Sequence, residues 1–154
     1  NSSLKSRYRL MWMDAVYEPG EVKVVAYNKD GKAVAEKTVR TAGKPHHIEL
    51  VSNRNELTAD GKDLAYVTVK VVDKDGNLCP TDSRLIHFSV KGAGKFRAVA
   101  NGDPTNLEQF HLPKMHAFHG MLTAIVQAGE IAGDLVLTAK ASGVKTGTVH
   151  LQAK

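Results

Sequence analysis

Apolar and polar residues alternate one for one along most of this chain. In LAYVTVKVV, residues 64–72, Ala65, Val67, Val69 and Val71 fall on one side of an extended backbone and Tyr66, Thr68 and Lys70 on the other. That is the period-2 signature of a half-buried strand. Asp73-Lys-Asp-Gly-Asn77 then closes it, because Gly76 can take a positive φ and the Asp and Asn side chains can bond nearby backbone. The same reading predicts an early strand carrying Tyr8, Leu10 and Trp12, a Glu18-Pro-Gly-Glu21 turn, and strands at 22–28 and 33–40 joined by Asn28-Lys-Asp-Gly31. Nowhere does a long 3.6-residue period appear.

Thr41-Ala-Gly-Lys-Pro45 interrupts the pattern and reads as a linker, since proline pushes its predecessor toward extended backbone. Beyond it the alternation predicts strands at 47–53, 64–73, 85–90, 96–100, 118–127, 135–141 and 148–152. Their inward sets include Ile48 and Leu50; Ile86, Phe88 and Val90; Phe96 and Ala98; Leu122, Ala124 and Val126; Leu135, Leu137 and Ala139; Val149 and Leu151. Seven short strands punctuated by Gly, Asp, Asn and Pro predict an all-β chain, an immunoglobulin-like β-sandwich over 47–154. Residues 43–46 are its linker, and residues 1–42, with only three strands, make an incomplete small β domain. Residues 101–117 are too long for a hairpin turn. A short helical turn is expected near 106–110, with Leu107, Phe110 and Leu112 capping one open end of the sandwich.

Composition narrows this reading. With 154 residues, 42% of them hydrophobic, the chain can bury one core and part of a second, but cannot form a (β/α)₈ barrel of about 250 residues. No apolar run approaches the roughly 20 residues that span a bilayer, so no membrane partner is expected. The opening Asn-Ser-Ser, without Met, has the look of an excised piece. The single cysteine, Cys79 beside Pro80, reads as an incidental thiol, so the core must hold by apolar packing alone. The net charge is +5, and residues 1–45 carry nine Lys/Arg against five Asp/Glu. There is no dense basic stripe with stacking aromatics, so no nucleic-acid partner is expected.

Three constellations bear on chemistry. His111, His116 and His119 are spaced H-x4-H-x2-H, and three histidines with an open position is a catalytic zinc arrangement. No helix fixes two of them on one face and no acidic partner is evident nearby, so no metal and no other cofactor is expected. Asp60-Gly-Lys-Asp63 and Asp73-Lys-Asp75 hold pieces of a calcium loop without completing one, and turn formation accounts for both. Asn55-Glu56 imitates the acid/base pair of some glycosidases, but no motif supplies the second carboxylate that such hydrolysis needs. No catalytic residue is assigned. Trp12, Tyr17 and Tyr66, with Tyr8 and Tyr27, could stack on sugar rings if exposed, although Trp12 is expected to be packed.

YRLMWMDAVYEPGEVKVVAYNKDGKAVAEKTVRTAGKP resembles the later half of a small β domain that follows the catalytic barrel in bacterial β-galactosidases of glycoside hydrolase family 2. HIELVSNRNELTADGKDLAYVTVKVVDKDGNLCP, NGDPTNLEQF and AFHGMLTAIVQAGEIAGDLVLTAKASGV are similar to the immunoglobulin-like domain that comes next. WMDAVYEPG, TAGKP, ADGKDL and NGDPT, in that order, are the motifs that carry the likeness. The resemblance implies a non-catalytic accessory region of a secreted or periplasmic retaining β-galactosidase, because neither catalytic glutamate of the family maps onto this chain. Its implied partners are the catalytic barrel of the same polypeptide and a neighbouring subunit or polysaccharide. Two alternatives stay open: a carbohydrate-binding module that anchors the enzyme, and an adhesin-type immunoglobulin-like spacer, which predicts tandem copies in the parent gene.

Overall fold

The computed structural model describes residues 12–154, and the expected early strand at Tyr8 and Leu10 lies outside them. No helix occurs among the described residues. The chain divides between Thr41 and Ala42 into two compact units.

In the first unit, β1 (Glu21–Tyr27) and β2 (Ala33–Arg40) form an antiparallel hairpin. Its turn is the one that Asn28-Lys-Asp-Gly31 predicts. The Asn28 side-chain oxygen accepts the amides of Asp30 and Lys32, while Gly31 N–H donates to the Asn28 carbonyl. Val22 lies opposite Val39 and Ala26 opposite Ala35 on one face, yet Val22, Val24 and Val39 stay exposed. Trp12, expected to pack, is 64% exposed. Among the described residues of this unit, the two-stranded ribbon has no second layer against which an indole could be buried.

The second unit is a two-layer β-sandwich. One sheet has the order β3 (His47–Ser52), β5 (Leu64–Val72), β9 (Met121–Ala128), β7 (Gly94–Ala100). The other runs β4 (Glu56–Leu57), β11 (Gly147–Ala153), β10 (Gly133–Lys140), β6 (Leu85–Gly92), β8 (Lys114–His116). Pairing is antiparallel except between β11 and β4. Ala65, Val67, Val69 and Val71 are fully buried, as their alternation requires, against Ile86, Leu135, Leu137 and Ala139 of the facing sheet and Leu122, Ala124 and Val126 of their own.

Strands β4 and β8, two and three residues long, escape prediction because alternation cannot be counted over so few positions. Only their neighbours make them strands. In β7 the inward residue after Phe96 is Val99, fully buried, and not Ala98. A bulge between Phe96 and Ala98 inserts one residue, so Ala98 comes to lie beside outward Ile125 while Val99 lies beside inward Ala124. Strand β9 begins at Met121 and not at 118, because Phe118, His119 and Gly120 form a tight turn with Phe118 N–H bonded to the Met121 carbonyl.

Candidate functional site

Several polar side chains of the sandwich hold turns. Asp73, buried at the end of β5, accepts N–H bonds from Gly43 (2.8 Å), Asp75 and Asn77 (2.9 Å each), and from the Asn77 amide. Those bonds, led by the one from Gly43, hold its carboxyl far below the usual carboxylate range. Asp60 takes the amides of Lys62 and Asp63, while Asp63 takes those of Thr58 and Leu64 and pairs with Arg54. Both are lowered by these backbone bonds. Asp60, Asp63 and Asp73 of the two calcium-like stretches therefore accept backbone amides, while Asp75 lies exposed beside Lys74.

Residues 101–113 are built the same way. Asn101 Oδ1 accepts from Asp103 N, Asp103 Oδ1 from Thr105 N and Oγ1, and Asn106 Oδ1 from Glu108 N. Bonds to Thr105 lower the Asp103 carboxyl. These Asx turns replace the expected helical turn near 106–110, since each side chain satisfies amides that a helix would bond to carbonyls. The expected cap is also absent: Leu107 is 97% and Phe110 56% exposed, and Leu112 is exposed as well. The loop end is closed by backbone instead, with Val99 N–H bonded to the Phe110 carbonyl and Phe88 N–H to that of Pro113.

The structure separates the three histidines by role. His116 Nδ1 lies 3.0 Å from Glu108 Oε1, and its amide donates to Glu108 Oε2. The acidic partner that the sequence did not reveal is thus eight residues upstream, brought back by the loop. His119, at φ 51°, stands with Nδ1 3.3 Å from the Pro80 carbonyl oxygen and its ring 4.2 Å from that of Phe118. His111 is exposed on the loop. No group of three His, Cys, Asp or Glu side chains able to hold a metal occurs among the described residues. Sequence reading passed over a different pair: His46 and His47 meet Nδ1 to Nδ1 at 3.0 Å, a contact in which only one of the two can donate.

Nothing here resembles the carboxyl pair of a glycosidase, in which one group must be held protonated. Every carboxylate with a shifted titration is shifted downward. For Asp82, burial alone would raise it, but the hydrogen bonds and charge of Arg84 outweigh that. Glu56, of the Asn55-Glu56 pair, starts the short edge strand β4 and bonds to Lys154. An open groove of about 480 Å³ runs over Gly61, Gly92, Gly94 and Gly129, with Lys95 and Glu130 at its sides, and so carries a single carboxylate. Cys79 is buried in the core, where desolvation pushes its thiol up and keeps it protonated. Of the sugar-stacking candidates, Trp12 and Tyr17 are exposed in the first unit, where the Tyr17 hydroxyl is 3.2 Å from Thr41 Oγ1. Tyr66 is exposed on the outer face of β5 in the second.

Fold and site together define a β-sandwich in which Asp60, Asp63, Asp73 and Asp103 hold its own turns. Residues 48–150 match the family described as glycoside hydrolase family 2 C-terminal domain 5, and the chain belongs to that family. Residues 2–35 match a domain of unknown function (DUF4982). Beta-galactosidase BoGH2A of Bacteroides ovatus is 44% identical over 138 residues, covering 90% of this chain and 16% of that protein. A beta-galactosidase of Thermoanaerobacter pseudethanolicus is 34% identical over 111 residues, covering 72% of this chain and 13% of that protein. Among solved structures, a glycosyl hydrolase family 2 member from Bacteroides cellulosilyticus superposes with a TM-score of 0.85 at 31% identity, over 91% of this chain and 18% of that one. A beta-glycosidase from Bacteroides vulgatus also gives 0.85, at 27% identity, over 89% of this chain and 18% of that one. The chain thus spans about a sixth of the length of such relatives, and the matched region is the C-terminal domain, not the catalytic one.

Proposed function

We propose that this region is a structural accessory part of a retaining β-galactosidase, exported to the periplasm or beyond, and that it packs against the catalytic part of the same polypeptide or a neighbouring subunit. The observation that carries this reading is the 44% identity with the Bacteroides ovatus beta-galactosidase over nine tenths of the chain. Identity at that level, extended over two successive domains, favours a shared domain order. The downward-shifted carboxylates support a role without chemistry of its own. The exposed apolar face of the β1–β2 hairpin supports the further reading that residues 1–42 are the later part of a small β domain whose other strands would cover it.

Expression of the complete coding region, with and without residues 1–154, tests this. The complete polypeptide is expected to hydrolyse nitrophenyl β-galactoside and the isolated region to be inert. Turnover by the isolated, rigorously purified region would sink the proposal. A second reading, glycan anchoring, is favoured by the exposure of Trp12, Tyr17 and Tyr66. Affinity electrophoresis through galactan decides it: retardation abolished by Tyr66→Ala would support anchoring over packing.

A further inference from the structure

The two outer faces of the sandwich differ in chemistry. On the β4–β11–β10–β6–β8 sheet, cross-strand rows read Lys140–His87–Lys114 and His150–Val136–Lys91. That is the polar surface expected of an antiparallel sheet facing water. On the β3–β5–β9–β7 sheet the central rows read Tyr66–Ile125–Ala98 and Val51–Thr68–Thr123–Ala100. These are apolar and hydroxyl side chains without a charge, and Tyr66 and Val51 remain 47% and 46% exposed. Charge stands at the ends, with the Glu49–Lys70 pair (3.6 Å) at one and Lys95 beside Gln127 at the other, and along the outer edge strand β7, where exposed Arg97 is the extra residue of the bulge. An uncharged centre with a charged rim is the anatomy of a protein interface and not of a solvated face.

The β7 bulge helps to make this face. Without it Ala98 would point into the core beside Ala124, and Arg97 would stand in the row with Tyr66 and Ile125. Four strands by six residues give a patch of about 19 by 20 Å, roughly 400 Å² on this side and about 800 Å² counting both sides, which falls within the range of interfaces between domains of one chain. More than four fifths of the length of the relatives lies outside this chain, so a covering surface of the same polypeptide is available at high effective concentration.

We propose that the outer face of the β3–β5–β9–β7 sheet is the surface through which the sandwich docks on the rest of its own polypeptide, with Tyr66 as the central anchor and an uncharged, apolar patch as its complement. This rests on the accessory reading above and names the surface that reading leaves open. A tyrosine suits such an anchor, since its ring is buried while its hydroxyl finds a partner at the rim. Tyr66 is the single Phe, Tyr or Trp on this outer face, which argues against a sugar platform, where several rings share the stacking.

Hydroxyl-radical footprinting of the full-length polypeptide tests the proposal, with Ile131, 80% exposed and off this face, as internal reference. Labelling of Tyr66 and Val51, relative to the denatured polypeptide, is expected to fall severalfold below that of Ile131. Tyr66→Lys and Thr123→Lys, both outward, are expected to split the thermal transition in two while buried Val67 stays protected, which separates undocking from unfolding. If Tyr66 is labelled freely while Leu107 and Phe110 are protected, the docking face is wrong but the accessory reading stands. If no surface of the sandwich is protected, both fail. Protection that appears only on raising the protein concentration, or only on adding galactan, assigns the face to a second copy or to glycan and overturns the proposal.

Discussion

Phe88 of β6 and Phe96 of β7 stack with ring centroids 5.9 Å apart and planes 20° from parallel, although their strands belong to opposite sheets. The chain passes from one sheet to the other through Ala93 alone, between Gly92 and Gly94, so the two rings pin the layers together where they are nearest in sequence. Phe88→Ala is expected to cost about 3–5 kcal/mol, the range for emptying an aromatic site in a core. Phe110→Ala, on an exposed ring, is expected to change stability by less than about 0.5 kcal/mol. Urea unfolding of both variants checks the contrast.

Asp73 predicts an acid-sensitive linker. Its folded-state pKa is depressed from the ordinary 3.8 by bonds from Gly43 and Asn77. Its contribution is therefore complete above the unfolded-state value and is lost as pH falls below it toward the folded-state value. Asp73→Asn is expected to lower the melting temperature at neutral pH and to flatten the decline of stability below about pH 4. Equal acid slopes in the variant and the parent sequence would contradict the assignment. Melting curves from pH 7 down to pH 2 provide the comparison.

Arg84 grips Asp82 in a fork, with Nε 2.8 and 2.9 Å from the two carboxylate oxygens and Nη2 2.6 Å from Oδ2, while Nη1 donates to the Ser142 carbonyl at 2.6 Å. The Asp82 side chain is only 7% exposed. Arg84→Ala strands a nearly buried charge and is expected to cost about 2–3 kcal/mol, less than a fully buried pair because Arg84 keeps some water contact. The double variant Arg84→Ala with Asp82→Ala should cost less than the two single losses combined, a non-additivity that chemical denaturation measures directly.

Gly92 and Gly102 separate two effects that a positive φ confounds. Both are left-handed, at 92° and 79°, but a Cβ on Gly92 would run into the Asp134 carbonyl oxygen whereas one on Gly102 meets nothing. Gly102→Ala is expected to cost about 1–2 kcal/mol from backbone strain alone. Gly92→Ala adds a clash with the paired strand and should cost at least about 3 kcal/mol, or abolish folding. Thermal denaturation of the two variants distinguishes them.

Strands long enough to repeat their pattern were legible. In β5, β9 and β10 each second residue is apolar, and those are the residues that the sandwich buries. The Asx turns at Asn28, Asp60 and Asp73 were legible for a related reason, because a short polar side chain bonds its own backbone within four residues. Leu107, Phe110 and Leu112 misled, since apolar character alone does not say whether a loop residue faces its own core or a neighbour. Glu108 was unreadable as the partner of His116, because only the fold of the loop brings it back over eight residues.

What the order of amino acids determined unaided was local: the alternation that makes extended backbone, and the turns that end it, each set by side chains within a few residues of the groups they satisfy. The tertiary structure alone decided which strands pair, where the β7 bulge reverses the facing of Ala98 and Val99, that β4 and β8 are strands at all, and that the centre of one outer face is left without charge. Those outcomes depend on hydrogen bonds and contacts between residues far apart in the chain, and no local period encodes such pairings.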